Sequence, residues 1–158
     1  MSDETPKRLA IIASHGTVDA AYPPFILATA AAAMDMEVAI FFTFFGLQIL
    51  KKGKIDKLKV APIANPAMPV PMPNIIGMLP GMTAAATVMM NSWMKKAKVA
   101  KLSELLEMSK EMGVRLIGCQ MTMDVMGIKK EELIEGLEIG GAATFLEFAS
   151  HNAITLTF

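Results

Sequence analysis

Cys119 is the only cysteine of the chain and therefore its only thiol nucleophile. An apolar segment, residues 114–118, precedes Cys119 and predicts a buried strand, and residues 120–126 after it predict a helix. A cysteine at this junction lies at the carboxyl end of a strand, where open α/β sheets bind ligands. Because the amino end of a helix favours a thiolate, we predict that Cys119 is a reactive thiol. The alternative is a small, buried and inert cysteine.

A second group of candidate residues follows the first predicted strand. We expect this loop at the same sheet edge as Cys119, because it also follows a strand. If the two strands are neighbours, His15 can assist the thiolate; the alternative is a loop histidine in contact with solvent. The helix after Cys119 offers unpaired N–H groups that can hold an anion. The predicted substrate-binding residues are therefore His15, Gly16, Thr17, Gln120 and Met121.

The sequence gives no sign of a metal site or an organic cofactor. Zinc sites use three or four ligands that include closely spaced pairs, and the chain has no such pair. The loop at 14–17 lacks both the G-x-G-x-x-G pattern and a P-loop lysine. We therefore expect neither a metal ion nor an organic cofactor. His151 precedes the last predicted strand, so we expect it at the sheet edge opposite Cys119, in a structural role.

Composition restricts the compartment and the kind of partner. The 158 residues include 15 basic and 15 acidic side chains, and this balance argues against nucleic-acid binding. A single cysteine excludes an internal disulfide, and residues 1–6 lack the features of a signal peptide, so we expect a cytoplasmic protein. Hydrophobic residues make up 53% and charged residues only 19%. We therefore expect a homo-oligomer, with peripheral membrane contact as the alternative.

Strands and helices alternate along the chain. Apolar runs predict strands at 7–14, 37–42, 114–118, 137–139 and 153–158. Helices are predicted at 23–34, 44–50, 81–94, 103–112, 120–126, 129–135 and 142–150, with the first beginning at Pro23 and the fourth capped by Ser103. This order predicts an α/β fold, in which helices cover both faces of a mostly parallel, five-stranded sheet.

Residues 60–94 contain no charged side chain. Five of the six prolines in this stretch lie between 62 and 73, which excludes a long helix there. Residues 81–94 predict a helix that is apolar on every side, and such a helix is normally buried. We expect an oligomer contact, with membrane contact as the alternative. We therefore predict one domain, 1–158, with an apolar insertion rich in proline and methionine at about 60–94.

Four segments together resemble a known family. They are residues 118–128 around the cysteine, 11–17 after the first strand, 41–47 after the second, and the apolar stretch 74–82. In combination they are similar to DsrE/DsrF-like proteins. The closest likeness is to the subgroup found beside sulfur-oxidation genes and often labelled peroxiredoxin-like.

The resemblance implies a three-layer α/β/α domain around a five-stranded sheet, assembled into oligomers. It also implies that Cys119 carries sulfur, as a persulfide or a thiosulfonate, and passes it to sulfur-carrier or rhodanese-like proteins. The chain would then be a stoichiometric carrier with sulfurtransferase chemistry. Two alternatives stay open: a non-catalytic scaffold module, oligomeric or membrane-associated, and a thiol redox protein. With one cysteine, a two-cysteine mechanism within one chain is excluded.

Overall fold

A parallel β-sheet between layers of helices forms the core of the protein. The structure is a computed structural model and describes residues 7–61 and 79–158. Within these residues, the five strands are β1 (Arg8–Ala13), β2 (Glu37–Phe42), β3 (Arg115–Cys119), β4 (Glu138–Gly140) and β5 (Ala153–Thr157). The five α-helices of the same residues are α1 (Val18–Ala32), α2 (Met82–Lys96), α3 (Leu102–Glu111), α4 (Gln120–Met126) and α5 (Ala142–Ala149). Short 3-10 helices cover Phe44–Leu50, Ile55–Lys57 and Lys130–Glu132.

The strands lie in the order β4-β3-β2-β1-β5, and every neighbouring pair is parallel. All carboxyl ends therefore meet at one edge of the sheet. The predicted five-stranded, mostly parallel sheet is confirmed, and it is wholly parallel. Because β2 lies between β1 and β3, the loop after β1 and the cysteine after β3 do not follow neighbouring strands.

Alternate residues of the central strands face two different helix layers. On one face, α1 and α3 cover the sheet, and the rings of Phe25 and Phe42 lie 6.0 Å apart. On the other face, α5 places Phe145 against Phe41 with ring centroids 5.4 Å apart. Residues on both faces are buried, as the unbroken apolar runs of these strands predict. The α/β class with three layers is confirmed.

The start of α1 differs from the prediction. The helix begins at Val18 and contains Pro23 and Pro24, so the expected start at Pro23 is wrong. Val18 and Ala21 are buried on the sheet side together with Pro24. Their packing extends the helix by more than one turn before the prolines, although each proline lacks the N–H of an intrahelical hydrogen bond.

The N-cap predicted for α3 is also wrong. The cap is Lys101, and Ser103 lies inside the first turn. The Ser103 hydroxyl donates instead to Asp56, with 2.7 Å between Oγ and Oδ2. This contact ties the 3-10 helix Ile55–Lys57 to the start of α3.

The uncharged stretch at 60–94 is described only in part, because residues 62–78 lie outside the described residues. The predicted helix at 81–94 is present as α2. None of the fifteen residues of α2 is buried within this chain, so its expected burial in an oligomer contact stays a prediction. Among the described residues, no helix combines the length and the apolar character needed to span a bilayer.

Candidate functional site

Cys119 ends β3 and immediately precedes α4. Only 4% of its surface is exposed, and it packs with Phe41, Ile117 and Phe145 on the sheet face that α5 covers. The backbone of Cys119 is extended while that of Gln120 is helical, so the thiol lies at the turn from strand to helix. The sequence prediction of this junction is confirmed.

Hydroxyl and N–H groups from the loop after β2 and from the first turn of α4 surround the sulfur. They are the hydroxyl and backbone N–H of Thr122, the hydroxyl of Thr43 and the backbone N–H of Met121. The Thr43 and Thr122 oxygens lie 3.2 Å apart. The Phe44 N–H donates to Thr122 Oγ1 over 2.9 Å, so the proton of this hydroxyl points toward either Thr43 Oγ1 or the sulfur. The site therefore offers several donors to one sulfur anion.

These donors change the acidity of the thiol. Burial raises the pKa of Cys119, but hydrogen bonding from Thr122, Thr43 and the Met121 N–H outweighs burial, and the pKa lies below that of an ordinary cysteine. A thiolate is the form that attacks sulfur electrophiles.

Local geometry explains why these threonines meet at the sulfur. Thr122 is the third residue of α4, the helical position whose N–H and side chain point back toward the residue before the helix. Thr43 follows β2, whose Phe42 pairs in register with Gly118, so Thr43 lies beside Cys119. Phe44 has a φ of 47°, in the left-handed region, and this turn directs its N–H to Thr122.

Two glycines allow the backbones of the loops after β1 and β2 to pack closely against each other. A Cβ on Gly46 would lie 2.0 Å from the carbonyl oxygen of Ala13, and one on Gly16 would lie 2.3 Å from that of Phe45. The Gly46 N–H also donates to the Ser14 carbonyl over 3.1 Å. This close backbone contact fixes the loop that carries Thr43, so Gly16 has a packing role that the sequence did not reveal.

His15 lies at the predicted edge but is not among the groups that hydrogen-bond Cys119. Its ring Nδ1 lies 3.0 Å from Ser14 Oγ, and the side chain is exposed. Strands are spaced by about 4.8 Å, so with β2 in between, the ends of β1 and β3 are about 10 Å apart. The condition that the two strands be neighbours is therefore not met, and a role for His15 in substrate binding stays a prediction.

The other predicted residues lie in different surroundings. Met121 contributes its N–H to Cys119, and its side chain is 54% exposed. Gln120 donates to Asp124 over 2.8 Å along the outer side of α4. Thr17 is the N-cap of α1, without a side-chain capping bond. His151 precedes β5 at the opposite edge of the sheet, as expected. Binding roles for Gln120, Met121 and Thr17 remain predictions.

Sequence reasoning missed Thr43 and Thr122. A signal for Thr122 was available, since a hydroxyl three residues after a helix-starting residue is a common capping arrangement. Thr43 has no such local signal, because its position beside Cys119 depends on the strand order β3-β2. In the described parts of the chain, no group of three His, Cys, Asp or Glu side chains is placed to hold a metal ion.

Four large apolar side chains stand exposed on the elements that form the site. Phe44 and Phe45 follow β2, and Met121 and Val125 lie one turn apart on the outer side of α4. Each is more than half exposed, with Val125 at 73%. We call these four residues the apolar rim. Contiguous apolar patches on a protein surface are typical of sites that contact other proteins.

Comparison with known proteins covers almost the whole chain. The model of the DsrE/DsrF/DrsH-like family matches residues 5–157. The chain is 49% identical over 156 residues to the sulfur carrier protein DsrE2 of Allochromatium vinosum, covering 95% of this chain and 97% of that protein. It is 36% identical to the uncharacterized protein YrkE of Bacillus subtilis, covering 99% of both.

A solved structure supports the fold. The protein of unknown function MTH1491 from Methanobacterium thermoautotrophicum superposes with a TM-score of 0.55 over 96% of this chain and 99% of its own. Only 9% of the residues are identical, so this likeness concerns the fold alone. Together with the family match over residues 5–157, the comparisons place the protein: the chain belongs to the DsrE/DsrF/DrsH-like family.

Proposed function

We propose that this protein is a sulfur carrier that holds sulfane sulfur on Cys119 and passes it to the thiols of partner proteins. The observation that carries the proposal is the set of donors around a single cysteine whose pKa is lowered despite its burial. The name of the Allochromatium relative, a sulfur carrier protein, points the same way. The chemistry needs no metal and no organic cofactor, since thiolates exchange sulfur directly.

Loading is a displacement at sulfur. The Cys119 thiolate attacks the outer sulfur of a persulfide donor, a bond forms between the two sulfurs, and the donor leaves as a thiolate. With tetrathionate, the thiolate attacks an inner sulfur, the cysteine gains an S-thiosulfonate, and thiosulfate leaves. In discharge, the thiolate of a partner attacks the sulfane sulfur bonded to Cys119, a new S–S bond forms on the partner, and the Cys119 thiolate leaves. Neither step needs an external oxidant or reductant.

The buried position of Cys119 suits a carrier. A persulfide adds one S–S bond of about 2 Å, so the outer sulfur lies about that much farther from the backbone than the thiol sulfur. The persulfide is also an anion, and the hydroxyls of Thr43 and Thr122 can donate to it as they do to the thiolate. The thiol, 4% exposed, is thus sheltered from random oxidation.

The acceptor we propose is another protein. The apolar rim of Phe44, Phe45, Met121 and Val125 offers a partner a surface next to the sulfur. Sulfur-carrier and rhodanese-like proteins present a reactive cysteine of their own, and such a cysteine would complete the transfer. We further propose that the protein is one domain, that it forms homo-oligomers and that it works in the cytoplasm, where thiols stay reduced.

A cyanolysis experiment tests the proposal. The protein is incubated with polysulfide, desalted and treated with cyanide, which takes sulfane sulfur as thiocyanate. We expect one equivalent of thiocyanate per chain from the wild type and none from Cys119→Ser. A second sample receives an acceptor thiol before cyanide, and we expect the thiocyanate yield from the protein to fall as the acceptor gains sulfur.

The control variant is Gly141→Ala, in which a new Cβ meets no atom within 4 Å. It should load like the wild type. This result would show that preparing a variant does not in itself abolish sulfur loading. Thiocyanate from Cys119→Ser equal to that from the wild type would contradict the proposal. Loading without any discharge to thiols would contradict the carrier role and favour a sulfur-trapping role.

A further inference from the structure

The two edges of the sheet differ in how they are protected from pairing with another strand. At one edge, β4 has only three residues, and its Glu138 pairs with Arg115 at 2.9 Å. At the other edge, β5 has five residues, and residues 153–158 include no charged residue, proline or glycine. Because short strands and charged side chains are what protect sheet edges in natural proteins, the edge at β4 is protected and the edge at β5 is not.

The outer side of β5 carries backbone groups at every second residue. The N–H and the carbonyl of Phe158 bond to the backbone of β1 and of the residue after it, over 2.8 and 2.7 Å. Since these groups alternate in direction along a strand, those of Ala153, Thr155 and Thr157 point away from β1. Among the described residues, no strand lies on that side of β5. Its outward N–H and carbonyl groups are therefore open to a strand of another chain.

The side chains of β5 form a pattern that is nearly symmetric about Thr155. Ile154 and Leu156 flank Thr155 with one aliphatic side chain each. The small residues Ala153 and Thr157 follow on either side. Ile154 is 59% exposed, although isoleucine is normally buried. A second copy of the strand, turned by half a rotation about Thr155, therefore presents matching side chains in reverse order.

We propose that two copies of the chain form a dimer by antiparallel pairing of their β5 strands across a two-fold axis at Thr155. Thr155 then exchanges two N–H···O bonds with Thr155 of the second copy, and Ala153 does the same with Thr157 of the second copy, so that six such bonds join the chains. Ile154 lies opposite Leu156 of the second copy, in the type of pair whose side chains are closest.

This pairing selects a second copy over an unrelated strand, and it closes. Any strand can bond to the backbone of β5, but the symmetric pattern around Thr155 is matched on both sides of the axis by the same strand reversed. The two unprotected edges then lie at the centre of one continuous sheet, and only the protected β4 edges remain outside. Strand pairing therefore stops at two chains.

The dimer specifies the interface of the proposed homo-oligomer; it rests on that part of the proposed function and not on the sulfur chemistry. Cys119 ends β3, which is three strand spacings from β5 in each copy. At about 4.8 Å per spacing, the two Cys119 residues lie roughly 30 Å apart, at opposite edges of the joined sheet. Each site is therefore left open to its own acceptor, and no disulfide forms between the two native cysteines.

Cysteine cross-linking tests the register, in a Cys119→Ser background that leaves one thiol per chain. Thr155→Cys places the new residue opposite its own copy at a Cα separation of about 5.5 Å, which a disulfide can bridge. Thr157→Cys is the matched control, because it changes the same residue type on the same exposed strand, yet lies about 14 Å from its own copy. We expect a reducible dimer from Thr155→Cys under mild oxidation and little from Thr157→Cys.

Analytical ultracentrifugation tests the dimer itself. We expect a dimer for the wild type and half its mass for Thr155→Pro, because proline removes an outward N–H and leaves the bonds to β1 intact. Val88→Lys is the control: it adds a charge at a residue of α2 that is 69% exposed, and it should leave the dimer unchanged. Circular dichroism verifies that both variants fold.

Cyanolysis of the same samples separates the interface from the carrier role. Thr155→Pro should load one equivalent of sulfane sulfur, as the wild type does. A wild type that loads sulfur but stays monomeric at high micromolar concentration would overturn the interface alone. Failure to load by a wild type that dimerises would contradict the carrier role and leave the interface supported.

Two further results would overturn the interface. One is equal cross-linking of Thr155→Cys and Thr157→Cys, which would show random collision in place of a fixed register. The other is an assembly whose mass is unchanged in Thr155→Pro. If that assembly were lost in Val88→Lys, the interface would lie on α2 instead.

Discussion

Replacing Thr122 with valine should raise the pKa of Cys119 while preserving the shape of the site. Valine matches threonine in volume but has no hydroxyl. The substitution removes the first of the donors that lower the pKa of Cys119, and it leaves the backbone N–H groups of Thr122 and Met121 in place. It also removes the acceptor of the Phe44 N–H, which now donates over 2.9 Å.

The expected size follows from the energy of one hydrogen bond to an anion. Such a bond is worth about 1.5–3 kcal/mol, and one pKa unit corresponds to about 1.4 kcal/mol. We therefore expect the pKa of Cys119 to rise by about one to two units. At pH values well below the native pKa, the thiolate fraction and the rate of alkylation would fall about 10- to 100-fold. The unpaired Phe44 N–H should also lower the free energy of unfolding by about 1 kcal/mol or more.

The assay is the rate of iodoacetamide alkylation as a function of pH, with thiolate absorbance near 240 nm as a second readout. Thr29→Val is the matched control, because the Thr29 hydroxyl bonds to the carbonyl of Phe25 inside α1. It changes the same atoms at a site away from the sulfur and should leave the alkylation midpoint unchanged.

A midpoint for Thr122→Val within about 0.3 units of the wild type would refute the reasoning, since the Thr122 hydroxyl would then contribute nothing to the thiolate. An equal shift in Thr29→Val would also refute it, because the effect would then arise from general loss of stability and not from a donor at the sulfur.

Three further predictions follow from the same geometry. Because the native pKa of Cys119 is lowered, the free energy of unfolding should rise with pH between the native pKa and the ordinary value of about 8.5. Urea unfolding at several pH values should show this rise for the wild type and not for Cys119→Ser. The same pH dependence in both proteins would contradict the prediction. Gly46→Ala should destabilise the protein by about 1–3 kcal/mol in thermal unfolding, because its Cβ meets the Ala13 carbonyl, whereas Gly141→Ala should be neutral. His15→Ala should leave the alkylation midpoint of Cys119 in place, since β2 separates their strands; a shift of one unit would show coupling.

Much of the fold could be predicted because local patterns and tertiary structure agree. The prediction of β2 at 37–42 and of α4 at 120–126 matches the structure residue by residue. In both segments, apolar residues bounded by glycine or charged residues define where the element begins and ends. Predictions failed where tertiary packing outweighed a local signal. At α1, burial of Val18 and Ala21 moved the helix start ahead of Pro23.

Of the candidate site, the sequence predicted Cys119 and Met121, whose N–H donates to the sulfur, but neither of the two threonines. Cys119 was identified from the strand and helix that flank it, because both are local features. Thr43 lies 76 residues earlier in the sequence and reaches the sulfur only because β2 pairs with β3. His15 was linked to the thiolate only on the condition that β1 and β3 are neighbours, and strand order cannot be deduced from single-strand patterns. The pKa of Cys119 likewise depends on a donor from the loop after β2 as well as on those of α4.

The central claim is that Cys119 carries the sulfur, and intact-protein mass spectrometry tests it most directly. The wild type and Cys119→Ser are incubated with thiosulfate, tetrathionate or a persulfide donor and are then desalted. We predict a gain of one sulfur atom or one thiosulfonate group on the wild type, reversed by a thiol reductant and absent from Cys119→Ser. No adduct with any donor on a folded wild type with a titratable thiol would contradict the account, as would the same adduct on both proteins.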